Sequence, residues 1–221
     1  MTLPLSNRVA SMAESATLAM AAKAREFKAR GIDVISLSLG EPDFKTPKHI
    51  QQGAKDAIEE GKYFAYPPVA GYQDFREAIA NKLQSENNIP CSLSNIVVSN
   101  GAKQSIANVM YALVDPGAEV IVFSPYWVSY TALIELAEGV PVFVKGSIEN
   151  DFKATADQLR KAISAETKAI IFSSPCNPTG SVFSKAELEA IAEVVKANEN
   201  IFVIADEIYE HINYTEEKVS L

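Results

Sequence analysis

The sequence predicts an α/β fold, a mostly parallel sheet sandwiched by helices. Short β-branched runs alternate with helix-period segments, and several of those runs are apolar throughout, as strands covered on both faces require. Composition agrees. Of 221 residues, 48 % are hydrophobic and 22 % charged, enough apolar surface for a sizeable core and far from the balance of disordered chains.

In chain order, an alanine-rich stretch from Ala10 to Ala24 reads as helix and Val34 to Leu39 as a strand. The two precede the regular alternation and suggest a separate small region. Thr46 before Pro47 pairs an N-cap residue with proline at the first helical position, where its missing N–H costs nothing. Phe75, Ala78, Ile79 and Leu83 then keep helical spacing. Ile96 to Val98 is the next strand, followed by a helical segment after Gly101. Val120 to Phe123 and Val140 to Val144 are strands, the second short and carrying a proline. Thr155 with Gln158 has capping-box spacing, Ala169 to Phe172 is a strand, and Ser184 with Glu187 is a second capping box. After it, Leu188, Ile191, Ala192 and Val195 fall at helical spacing, and Ile201 to Ala205 is the last strand. Strands alternating with helices imply βαβ units.

Charge and cysteine content exclude several functions. With 20 basic and 28 acidic residues the formal charge is −8, which disfavours nucleic acid and anionic membrane surfaces as partners. Cys91 and Cys176 are too far apart for a CxxC motif, and with His49 and His211 they cannot make a standard zinc site, so no metal is expected. No run of about 18 uncharged apolar residues occurs, so a soluble, cytoplasmic protein is expected. At roughly 150 residues per domain, the length allows one large domain or a piece of something longer.

Ligands of such sheets bind outside the carboxyl ends of the strands. There Ile96 to Val98 runs into SNGAKQ, Val120 to Phe123 into SPYWVSY, Ala169 to Phe172 into SSPCNPTG, and Ile201 to Ala205 into DEIYEH. The helix-to-strand side carries plain turns such as VDPGAE and NENI. Gly101 permits close backbone approach, and free N–H groups at a helix start favour an anion such as phosphate; a turn that merely needs glycine would look the same. No two of the ten glycines are closer than seven positions, which excludes GxGxxG, the P-loop and the GxSxG elbow. Asp206, at the mouth of a hydrophobic strand, needs a cationic or hydrogen-bonding partner, unless it caps a following helix. Tyr209 lies three positions on, on the same side of a turn. Trp127, the only tryptophan, either covers a planar ligand or packs in the core, and Asn177 either aims its amide at that place or only shapes a turn.

Six segments in this order, GEPDF (Gly40 to Phe44), YPPVAGYQDFREAIA (Tyr66 to Ala80), SNGAKQ, SPYWVSY, SSPCNPTG and ADEIYEH, resemble the class I (fold type I) pyridoxal-phosphate aminotransferases, within them the bacterial aspartate aminotransferase subgroup. The resemblance covers essentially the whole chain. It implies residues 1–45 as an N-terminal arm and small-domain segment, and residues 46–221 as part of the large domain that binds pyridoxal 5'-phosphate. It implies that Asp206 pairs with the pyridine nitrogen, that Tyr209 and Asn177 hydrogen-bond the ring's phenolic oxygen, and that Trp127 stacks on the ring. Gly101, Ala102 and Lys103 match the phosphate loop. Tyr66 matches a tyrosine that reaches the neighbouring subunit's cofactor phosphate, which implies a homodimer with shared sites. Gly40, Trp127 and Asn177 match substrate-contacting positions, and Ser15, Thr17 and Lys103 match residues that contact a distal carboxylate.

The implied activity is transfer of the amino group of aspartate, or another amino acid, to a 2-oxo acid such as 2-oxoglutarate. An aromatic or prephenate aminotransferase, a β-lyase or a synthase would share the cofactor residues. One family feature is missing. The Schiff-base lysine and the arginine that clamps the substrate carboxylate lie downstream of DEIY in this family, whereas here 15 residues follow Asp206 and Lys218 is their only lysine. The chain is therefore expected to be an N-terminal part, inactive alone, with no catalytic lysine of its own; a non-catalytic remnant is the alternative.

Overall fold

The computed structural model describes residues 5–10, 12, 15–37, 40 and 44–215. The chain divides into two compact units, residues 14–98 and residues 1–13 with 99–221. A short helix, α1 (Asn7–Ala10), belongs to the second unit.

The unit 14–98 holds α2 (Ala16–Ala29), α3 (Lys48–Glu60) and α4 (Gln73–Asn87). The structure places the start of α3 one residue later than the Thr-Pro signal predicts: Pro47 itself precedes the helix and no side chain caps it. The Thr46 carbonyl instead accepts the Gln51 side-chain amide at 2.5 Å. Neither strand predicted in this unit forms among the described residues. Ile35 and Leu37 are 85 % and 92 % exposed, and residues 34–37 join no strand ladder among the described residues; Ser38 and Leu39 lie outside the described residues. Residues 96–98 join no ladder either, with Val98 N–H donating to the Ala70 carbonyl at 3.0 Å and Val97 exposed. An apolar run becomes a strand only where a partner ladder takes up its N–H and C=O groups. The close approach at Val98 explains Gly71: its φ is +101°, and a Cβ there would lie 2.7 Å from Val98 Cγ2.

The larger unit alternates α5 (Ala102–Leu113), β1 (Glu119–Ser124), α6 (Ser129–Leu136), β2 (Val140–Lys145), α7 (Ala156–Ala162), β3 (Thr167–Ser173), α8 (Lys185–Lys196) and β4 (Phe202–Asp206). The four strands form one parallel sheet in the order β2-β1-β3-β4. β2, with Pro141, is at an edge, where a missing N–H is tolerated. Both predicted capping boxes form, Thr155 with Gln158 and Ser184 with Glu187.

Alternation along the strands divides the core into two layers. Ile121, Phe123, Ile170 and Phe172 pack against Leu159 of α7 and Leu188, Ile191 and Val194 of α8. Val120, Val122, Ala169 and Ile171 face the other way, against Ile106 and Met110 of α5 and Tyr130 and Ile134 of α6. Burial of each such aliphatic side chain contributes about 1.5–3 kcal/mol, which locks the central strands between the helix layers. Helix α6 was not evident in the aromatic run SPYWVSY. Its signal is Tyr130, Leu133, Ile134 and Ala137, at the spacing of one helix face, all inside this second layer or packed on it.

Candidate active site

The carboxyl ends of β1, β3 and β4 and the start of α5 belong to the larger unit, and most of the predicted site residues sit there. In the parallel register Ser173 of β3 is level with Asp206 of β4, and Ser174 N–H donates to the Asp206 carbonyl at 3.3 Å. The chain segments after these two strands therefore leave the sheet at the same height.

Asp206 is half-buried. Its Oδ2 accepts the Tyr130 hydroxyl at 2.7 Å, and its Oδ1 accepts the Ile208 N–H at 3.3 Å. The second bond makes a local turn, and among the described residues no helix starts after Asp206 for it to cap. Tyr130 is fully buried. Burial first, and then the adjacent Asp206 carboxylate, push its phenol far above the ordinary tyrosine value, so it stays protonated and acts as a donor. Asn177 and Tyr209 come together, the Asn177 amide donating to the Tyr209 hydroxyl at 3.4 Å.

Trp127 meets Tyr130 edge to face, with ring centroids 5.7 Å apart and planes at 88°. It is half-buried, neither a free surface residue nor part of the fully buried core. Lys103 in the first turn of α5 holds its Nζ 5.1 Å from the Trp127 ring centroid. A continuous line of contacts thus runs from the start of α5 through Trp127 and Tyr130 to Asp206.

At that helix start Gly101 has φ +85° and ψ 163°, a conformation open to glycine and strained for other residues. Nothing lies within 4 Å of where its Cβ would be, so the need for glycine is conformational. The Gly101 carbonyl takes the N–H groups of Gln104 and Ser105, which leaves those of Ala102 and Lys103 without a partner among the described residues. Two open N–H groups, the helix dipole and an ammonium group in one turn suit a phosphate.

The other predicted residues lie in the unit 14–98. Ser15 is the N-cap of α2, its hydroxyl accepting the Leu18 N–H at 3.5 Å, and Thr17 is half-buried in the first turn. Gly40 is exposed with open space around it, and Tyr66 is fully exposed. Glu41, Pro42 and Asp43 of the GEPDF segment, and Lys218, lie outside the described residues. Among the described residues no cluster of His, Cys, Asp and Glu has the makings of a metal site, and no helix is long and apolar enough to cross a membrane.

A helix start with two open N–H groups, an aromatic face, an amide next to a phenol, and a carboxylate held at a strand end in a helix-covered parallel sheet form a donor set that fits pyridoxal 5'-phosphate. Residues 32–220 match the family described as aminotransferase class I and II, and the chain belongs to it. Among curated relatives it is 44 % identical over 210 residues to an aspartate aminotransferase of a Bacillus species, covering 95 % of this chain and 53 % of that protein. It is 43 % identical over 216 residues to the aspartate/prephenate aminotransferase of Thermus thermophilus, covering 98 % and 56 %. Among solved structures, the aspartate aminotransferase of Rhizobium meliloti superposes with a TM-score of 0.95 at 37 % identity, over 99 % of this chain and 55 % of that one. The Thermus thermophilus enzyme with maleate gives 0.94 at 42 %, over 99 % and 57 %. The chain thus spans about half the length of the relatives it matches.

Proposed function

We propose that the whole protein is a pyridoxal-phosphate-dependent transaminase that moves the amino group of aspartate to a 2-oxo acid such as 2-oxoglutarate. The observation that carries this reading is Asp206, a carboxylate fixed by a buried phenol at a strand mouth and joined through Trp127 to an open helix start. When bound, pyridoxal 5'-phosphate supplies a protonated pyridine ring that withdraws electrons from the substrate α-carbon. Asp206 accepts the ring N–H and keeps that proton in place. Trp127 covers one ring face, and Asn177 and Tyr209 donate to the phenolic oxygen. Ala102 and Lys103 hold the phosphate with their N–H groups, Gly101 letting the backbone approach.

On the substrate side, Gly40, Trp127 and Asn177 border the amino acid, and Ser15, Thr17 and Lys103 receive its distal carboxylate. A relative solved with maleate, a dicarboxylate, supports an acidic substrate. Relatives named aspartate/prephenate aminotransferases favour a second reading in which an aromatic precursor is also accepted. Tyr66 reaches a neighbouring subunit's phosphate in a homodimer, and residues 46–221 form part of the large domain with 1–45 as arm and small-domain segment. The 221 residues alone are inactive in this reading, because Lys218 is the only lysine after Asp206 and stands in no matching motif. The protein works in the cytoplasm.

The test is the full-length protein with a panel of amino acids and 2-oxo acids. Turnover of aspartate is expected, with Asp206→Ala lowering it by at least about 100-fold, since a preorganised charge at the reacting system is lost. Transamination with no dicarboxylic substrate turned over would refute the aspartate assignment, and near-normal turnover by Asp206→Ala would refute the role of the strand end.

A further inference from the structure

No sequence motif gave Tyr130 a role, yet it is the side chain most firmly tied to Asp206. Its ring is fully buried in the layer formed with Met110, Ile134 and Ile171, so its hydroxyl is a fixed point of the core with no water to turn to. At 2.7 Å the O–H···O distance to Asp206 Oδ2 is that of a well-made hydrogen bond. The Ile208 N–H holds the other oxygen, so both ends of the carboxylate have a donor and its plane is set. The edge of the same ring supports Trp127. One residue thus touches both the group that would cover the cofactor's face and the group that would hold its nitrogen.

We propose that Tyr130 is a positioning residue: its hydroxyl holds the Asp206 carboxylate correctly turned for the N–H of the cofactor's pyridine ring. The proposal rests on the reading of Asp206 as the partner of that nitrogen. A carboxylate that loses one of its two donors is free to rotate. Tyr130→Phe removes this hydroxyl and leaves the ring that supports Trp127.

The experiment uses the full-length protein and two probes, pyridoxal 5'-phosphate and its analogue with C–H in place of the ring nitrogen. Dissociation constants for both are measured by fluorescence for the wild type, Tyr130→Phe, Asp206→Ala and the double variant. Tyr130→Phe is expected to weaken the phosphate cofactor about tenfold, the scale of one hydrogen bond to a charged group, and the analogue by less than about twofold. In the Asp206→Ala background the same change is expected to do nothing further. Equal weakening of both probes by Tyr130→Phe would mean a merely structural role and would overturn the proposal, as would an unchanged affinity for both. If Asp206→Ala also leaves the ratio of the two constants unchanged, the reading of Asp206 falls and the proposal with it; if only Tyr130→Phe does, the proposal alone falls.

Discussion

Replacing Asp206 by Ala should destabilise the folded protein, and replacing it by Asn should do so less. The Tyr130 hydroxyl is fully buried, so in Asp206→Ala its O–H loses the carboxylate that accepts it. A buried donor left unsatisfied costs about 1–3 kcal/mol, and a bond to a charged acceptor contributes about 1.5–3 kcal/mol. These overlap and are not summed. Removing a half-buried charge returns part of the loss and leaves a net destabilisation of about 2 kcal/mol. Asn keeps one acceptor oxygen, enough for the phenol but not for the Ile208 N–H as well, so Asp206→Asn should cost about 1 kcal/mol. Urea denaturation of the cofactor-free full-length protein measures both. The double variant Tyr130→Phe with Asp206→Ala should recover about 1–2 kcal/mol relative to the sum of the single changes, because the stranded donor is gone. Equal stability of the Ala and Asn variants, or strict additivity in the double variant, would refute the bond as the source of the effect.

Two other outcomes can be checked. Burial pushes the Glu187 carboxyl up, but the Lys153 ammonium at 2.9 Å and the Ser184 N–H and hydroxyl together outweigh it and hold the group below its usual 4.5. Its contribution to stability is therefore present above pH 4.5 and lost as pH falls through the lowered value, so Glu187→Gln should flatten the acid side of the stability profile; an unchanged acid limb would count against the pairing. Gly101→Val should cost about 1–2 kcal/mol through its positive φ and weaken inorganic phosphate binding to the full-length protein, as titration calorimetry would register. Phosphate affinity equal to wild type would argue that the helix start is not the anion site.

What could be anticipated from sequence follows a physical division. β1, β3 and the helix α8 are specified locally, by unbroken apolar runs and by a capping box whose two partners are three residues apart, and they form as expected. The segments at 34–37 and 96–98 join no ladder among the described residues, because an apolar run becomes a strand only with partners distant in sequence, which no local pattern contains. Helix α6 was hidden because Tyr, Trp and Val favour strands, while burial of one face against the sheet overrides that preference. Asp206, Tyr209 and Asn177 were evident because polar residues at strand ends are conspicuous against an apolar run. Tyr130 was not, since a buried tyrosine in a core layer looks like packing until its hydroxyl is seen to face a carboxylate 76 positions away.

The level register of Ser173 and Asp206 makes the chemistry of this protein a matter of counting. Adding or removing one residue within β4 would displace the carboxylate by about 3.3 Å and turn it to the opposite face of the sheet, away from Tyr130. The turns that lead into β1 and β4, around residues 115–118 and 197–201, carry no such constraint, because they enter the sheet at its other end. Length variation should therefore be absorbed on the entry side of the strands, while the exit side keeps its spacing to the residue.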